Sequence, residues 1–244
     1  VLDIASNDGC LLSKFKDQGM SVVGVDPAEN LAAEANAAGI PTLCTYWSLA
    51  TAEAVLSRFG RPKVITALNV IAHVDDAHSF VEAAAQALAS RGVFVVECPY
   101  ALDLIENDEF DTVYHEHLSY FLVKPLLTLF ARHGMHIANL TEFDHIHGGT
   151  LRVYVVKDTN RSFPHNKEIV QTYLAAEEKD GLHILAPYLR LEENARKVKA
   201  DFMGKLHELR SQGKKLVAYG ASAKGNTFVN YCHLDKDDIQ FIVD

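Results

Sequence analysis

Apolar and polar positions fall into blocks along this chain. Short apolar runs at Val1–Ile4, Ser21–Val25, Lys63–Leu68 and Val93–Cys98 end in polar or glycine-bearing turns, the pattern of buried strands. Between them, Cys10–Gln18, Ala28–Ala38, Leu49–Phe59 and Asp75–Ala89 carry helical periodicity. Strand–helix alternation at this spacing predicts an α/β fold with a parallel sheet covered on both faces. The pattern then changes. A helix starts at Pro125 and stops near His133-Gly134, Met135–Phe143 reads as a strand, His145–Gly149 as a turn and Thr150–Lys157 as an alternating strand. This last hairpin inserts one antiparallel strand into a seven-stranded sheet. Asp158–Pro164 is a linker, and Asn166–Ser211 is polar helix broken around Gly181 and Pro187. A second βαβ unit follows: strand Lys215–Tyr219, turn Gly220–Thr227, helix Phe228–Cys232 and strand Ile239–Val243. Three segments result: a core over 1–157, a helical connector over 158–211 and the start of another Rossmann-like domain over 212–244.

Composition narrows the function. The 244 residues are 48% hydrophobic and 23% charged, enough to build a core. A net charge of −9 argues against a nucleic-acid partner, which needs Lys and Arg on phosphate. No apolar run is long enough for a bilayer, so no membrane partner is expected. Cys10, Cys44, Cys98 and Cys232 are scattered, which disfavours disulfides and a cysteine zinc site and fits a cytoplasmic location. Val1 lies inside a core strand and the last strand stops at Asp244, so the chain reads as a fragment lacking both ends.

The first turn, Asp3-Ile4-Ala5-Ser6-Asn7-Asp8-Gly9, joins a strand to a helix N-terminus, where unpaired N–H groups face a ligand. With Gly9 alone it lacks the three-glycine dinucleotide fingerprint. Asp3 and Asp8 disfavour a pyrophosphate there and welcome a cationic amine or sulfonium. Asp26 closes the next strand, where a carboxylate can hold both ribose hydroxyls. Asn69 and His73 fall at the carboxyl end of the fourth strand, and Tyr46 and Trp47 follow the third, flanking an adenine or packing in the core.

Tyr114-His115-Glu116-His117 concentrates groups that move protons. In an extended segment Tyr114 and Glu116 point one way and the two histidines the other. A glutamate beside a histidine can orient it as a general base. Two other readings stay open: His115 and His117 as metal ligands with His145 and His147, or histidines bonded to backbone. No third ligand at the usual spacing accompanies them, so no metal is expected in this segment.

Five stretches together resemble the nucleotide-sugar C-methyltransferases: Val1–Gly9, Asn69–Asp76, Asp111–Phe121, His147–Tyr154 and Tyr219–Thr227. The resemblance runs the whole length of the chain, and the Tyr-His-Glu-His block is its most specific part. It implies a class I methyltransferase core using S-adenosyl-L-methionine, with zinc confined to a cysteine domain before this segment. It implies methylation of a 4-keto nucleotide-linked deoxysugar at the carbon next to the ketone, C3, through an enolate. By the same resemblance His117 is the base, Glu116 orients or polarises, and Tyr114 and His73 complete the catalytic set. Asp3, Ala5, Asn7, Asp8, Gly9, Asp26 and Asn69 hold the cofactor, and His115, His147, Gly220, Ser222, Lys224 and Asn226 meet the nucleotide-sugar. Ala5 stands where the family usually has glycine, tolerable if its φ is negative. The assembly is expected to be a monomer or weak dimer. A nicotinamide-dependent sugar-nucleotide oxidoreductase with Asp244 on the ribose is the rival enzyme, opposed by the missing fingerprint. A non-catalytic cofactor-binding module is opposed by Asp3, Asp26 and the histidine cluster.

Overall fold

A computed structural model describes residues 1–144 and 148–244. In chain order its first elements are β1 (Leu2–Ile4), α1 (Cys10–Asp17), β2 (Val23–Asp26), α2 (Glu29–Ala37), β3 (Thr42–Cys44), α3 (Leu49–Phe59), β4 (Val64–Leu68), α4 (Ala77–Ala87) and β5 (Val93–Pro99). There follow α5 (Ala101–Glu106), α6 (Val123–Ala131), β6 (Met135–Phe143), β7 (Thr150–Lys157), α7 (Lys167–Lys179), α8 (Ala186–Ser211), β8 (Ala218–Tyr219), α9 (Ala223–Cys232) and β9 (Ile242–Val243). The chain folds as two compact units, Val1–Tyr100 with Leu118–Ala176, and Ala101–His117 with Glu177–Asp244.

The first unit carries a seven-stranded sheet in the order β3-β2-β1-β4-β5-β7-β6. β7 runs antiparallel to both β5 and β6, and the other four pairs of neighbours are parallel. The hairpin read from sequence is therefore present, with β7 as the inserted strand. Leu12, Ala35 and Ile40 close a small core over the sheet with Val1 and Val22. Phe94 of β5 meets Phe130 of α6 edge-on at 6.4 Å. α6 begins at Val123, earlier than the sequence suggests, so Pro125 sits in the first turn, where its missing N–H has no partner to lose.

The second unit is built on α8 and the two-stranded parallel sheet β8-β9. Phe110 packs on Phe228 and Tyr231 at 6.2 and 5.1 Å, and Phe202 on Phe228 at 5.0 Å. α9 starts at Ala223, well before the expected Phe228, because the Ser222 side chain accepts the Gly225 N–H and caps the helix. Among the described residues no helix is long and apolar enough to cross a membrane.

Candidate active site

The carboxyl ends of β1, β2 and β4 bring most of the expected cofactor residues to one edge of the first unit. Asp3 is buried in β1, and Thr66 of β4 donates to its Oδ1 at 2.5 Å. Ala5 and Asn7 both sit in the left-handed region, at φ 59° and 54°. The condition under which alanine is tolerable, a negative φ, is thus not met: the turn asks for glycine, and alanine is strained there. Asp8 Oδ1 accepts the Cys10 N–H at 2.9 Å and its own N–H donates to Asn7 Oδ1 at 2.8 Å, so the pair shapes the entry to α1. Gly9 has φ 80°, and a Cβ there would stand 2.9 Å from Ile40 Cδ1.

Asp26 is buried, and its two carboxylate oxygens accept the Asn7 N–H at 2.8 Å and the Ala28 N–H at 2.9 Å. It therefore staples the first turn to the start of the second. Each oxygen retains a further lone pair, the capacity a diol needs. Asn69 adopts φ 55°, donates its N–H to Glu97 O at 2.9 Å and keeps a buried Oδ1 without a partner. Ser6 Oγ is likewise buried and unpartnered. Orphaned polar atoms beside three carboxylates suit a ligand bearing hydroxyls and positive charge.

His73 ends a short 3₁₀ turn, Ile71–His73, and is exposed at the same edge. The N–H groups of Leu118 and Ser119 fix this turn by sharing the Ala72 carbonyl at 2.8 and 3.2 Å. Tyr46 is 78% exposed, whereas the Trp47 indole donates to Phe80 O at 3.1 Å and so packs against α4.

In the second unit the Tyr114–His117 stretch is a turn and not an extended segment: the His117 N–H donates to Tyr114 O at 3.0 Å. The expected alternation of side chains is lost, and the turn instead brings Tyr114 onto His117, ring centroids 4.4 Å apart. His117 Nδ1 lies 3.0 Å from the Thr112 carbonyl, which can only accept, so Nδ1 carries the proton. In the neutral ring Nε2 then holds the lone pair, 3.2 Å from the Tyr114 hydroxyl. The Thr112 carbonyl orients this ring; Glu116 lies 3.9 Å from His115, both well exposed.

The Gly220–Thr227 stretch is also occupied by its own chain. Lys224 Nζ pairs with Glu109 at 3.1 Å, and Ser222 Oγ caps α9. Asn226 Oδ1 accepts from Asn230 at 3.1 Å, and the Gly220 N–H donates to Val243 O at 2.7 Å. Asp244 Oδ1 accepts the Ala221 N–H at 3.0 Å. His145 and His147 lie outside the described residues, and among the described ones no three His, Cys, Asp or Glu side chains gather as a metal site.

Sequence reasoning missed four contributors: Ser6, Thr66, Thr112 and the Glu97–Arg152 pair. Arg152 Nε and Nη2 both reach Glu97 Oε1, at 2.9 and 2.6 Å, across paired positions of β5 and β7, and its guanidinium lies 4.7 Å from the centre of the Phe143 ring. For Thr66, Glu97 and Arg152 the available signal was a polar residue inside an apolar strand, which a buried strand tolerates only with a partner; Ser6 and Thr112 lie outside the strands and carry no such signal.

Two family models match the chain: a methyltransferase domain over residues 1–140 and a C-methyltransferase C-terminal domain over residues 145–244. C-methyltransferase NovU of Streptomyces niveus is 32% identical over the whole chain, which spans 57% of that relative's length. Among solved structures, the fold is similar to the Haloferax volcanii complex of the Trm112 methyltransferase activator with a methyltransferase (TM-score 0.51, 14% identity, 64% of this chain and 81% of that one). It is also similar to the YcgJ protein of Bacillus subtilis (TM-score 0.50, 13% identity, 64% of this chain and 90% of that one). At these identities the structures speak for the fold alone. The chain belongs to the methyltransferase domain family, and its second part is similar to the C-terminal domain of C-methyltransferases.

Proposed function

We propose that this chain is the core of an S-adenosylmethionine-dependent C-methyltransferase whose substrate is a 4-keto nucleotide-linked deoxysugar, methylated at C3. The observation that carries the chemistry is the fixed tautomer of His117, whose basic Nε2 stands 3.2 Å from a phenol. The likeness to a C-methyltransferase supports the reaction class. The acidic edge at Asp3, Asp8 and Asp26 supports a cationic, ribose-bearing cofactor.

Carbon methylation needs a nucleophilic carbon. His117 Nε2 takes the proton from C3, the electron pair moves to the ketone oxygen, and the Thr112 carbonyl stabilises the imidazolium through Nδ1–H. The Tyr114 hydroxyl, released from Nε2 as that nitrogen is protonated, is free to donate to the developing oxyanion. Bound S-adenosylmethionine supplies an electrophilic methyl on a neutral leaving group, so no metal is required. Asp26 and the turn around Asn7 hold the ribose, and Asn69 offers an acceptor beside it.

The test is the full-length protein with S-adenosylmethionine and a panel of 4-keto sugar nucleotides, read by the mass gain of one methyl. His117→Asn should lower turnover by roughly 10²–10⁴-fold with both ligands still bound. With an inert cofactor analogue, wild-type protein should exchange solvent deuterium into C3 and the variant should not. Exchange at the wild-type rate in His117→Asn would remove His117 as the base and promote His73 or His115.

A further inference from the structure

Beneath the first turn one face of the sheet carries a cluster of buried polar groups. Asp3 pairs in register with Gly24 and with Thr66, and Gly24 with Thr42, so all four occupy one face. Asp3, Ser6, Thr42 and Thr66 are 5, 4, 8 and 5% exposed. An added Cβ on Gly24 would come within 2.4 Å of Ser6 Oγ and 2.8 Å of Thr42 Oγ1, so the bare glycine is what gives both hydroxyls room. Thr42 Oγ1 is engaged with the Ile40 carbonyl at 3.1 Å, while Ser6 Oγ has no partner.

The charges do not balance inside this cluster. β4 contributes Thr66, β3 Thr42, the turn Ser6, and β2 Gly24 with the Asp26 carboxylate beyond it. Of these groups only Asp26 is a carboxylate, and it carries the same sign as Asp3. None of the ion pairs among the described residues involves Asp3. A dry carboxylate with one hydroxyl donor and a like charge nearby takes up a proton unless a cation arrives. Burial, opposed by the Thr66 hydrogen bond and reinforced by Asp26, pushes the Asp3 carboxyl up to about 7.

We propose that Asp3 is an exchange site for positive charge: in the free protein it holds a proton, and binding of the cofactor's cationic methionine end at the turn above expels it. Asp3 thereby couples cofactor affinity to pH, a link that rests on the cofactor placement proposed above. The sign follows from linkage. Only the ionised form attracts the cation, so affinity is full above the Asp3 titration and falls by up to about tenfold per pH unit below it.

The measurement is titration calorimetry of the protein with S-adenosylmethionine, and with S-adenosylhomocysteine, in buffers of different ionisation enthalpy. The pH is kept between about 5.5 and 7.5, below the α-amine range. Most of one proton should leave per bound cofactor near pH 6, and about half of one near pH 7. Asp3→Asn should bind without that release and with an affinity nearly flat in pH. Thr66→Val, which removes the donor that favours the ionised form, should move the release curve to higher pH. A proton count of zero throughout in wild-type protein, with the cofactor bound, overturns the exchange and leaves the cofactor reading standing. Release that persists in Asp3→Asn also overturns it. Absence of cofactor binding at every pH overturns both.

Discussion

Ala5→Gly should stabilise this protein, against the usual direction of such a change. Ala5 lies at φ 59° on the exposed side of the first turn, and its N–H donates to Val25 O at 2.8 Å, a bond glycine retains. The left-handed region costs an L residue about 1–2 kcal/mol through its Cβ. Glycine removes that cost and gives back about 0.4–1 kcal/mol through the greater freedom of its unfolded chain. The balance is a gain of about 0.5–1 kcal/mol, and in a protein of this size about 2–4 °C of Tm accompanies each kcal/mol. Calorimetric and urea unfolding of the cofactor-free protein should show a rise of about 1–4 °C with an unchanged m-value. Ala5→Val gives the opposing control, since a β-branched residue is worse still at positive φ. A lower Tm for glycine, or no penalty for valine, would refute a left-handed Ala5.

Two further outcomes follow from the same edge of the sheet. Asp26→Asn keeps the size of the side chain but replaces one anionic oxygen by a donor, so S-adenosylmethionine should bind about 1–3 kcal/mol more weakly by calorimetry; unchanged affinity in a folded variant removes Asp26 from the ribose. Arg152→Leu strands the buried Glu97 and should cost about 3 kcal/mol in urea unfolding, while Arg152→Leu with Glu97→Leu should recover most of it; a double variant no better than the single one would show that packing, and not the stranded charge, sets the cost.

Much of the first unit was legible from the chain because its signals are local. Apolar strands, helical spacing and the hairpin Met135–Lys157 depend on neighbours within a few residues, and the sheet forms with β7 inserted as that pattern implies. Asp3, Asp26 and Asn69 were also readable, since the ends of parallel strands must meet at one edge. Conformation within turns was not. The sign of φ at Ala5 depends on its bond to Val25, and Tyr114–His117 closes into a turn through a bond between its own ends. That closure, not residue type, put the phenol on the imidazole.

Partners distant in sequence lay further out of reach. Thr112 fixes the tautomer of His117, Lys224 finds Glu109, Thr66 bonds Asp3, and Arg152 finds Glu97 across the sheet. The sequence by itself determined which groups capable of chemistry exist and, through periodicity, which strand ends carry them. Tertiary structure alone decided which of those groups are already paired and which remain open. Hydrogen bonds act only over about 3 Å and depend on direction, so no spacing along the chain encodes them. Burial, which sets the charge on Asp3, is likewise the sum of everything packed around a residue and belongs to no position by itself.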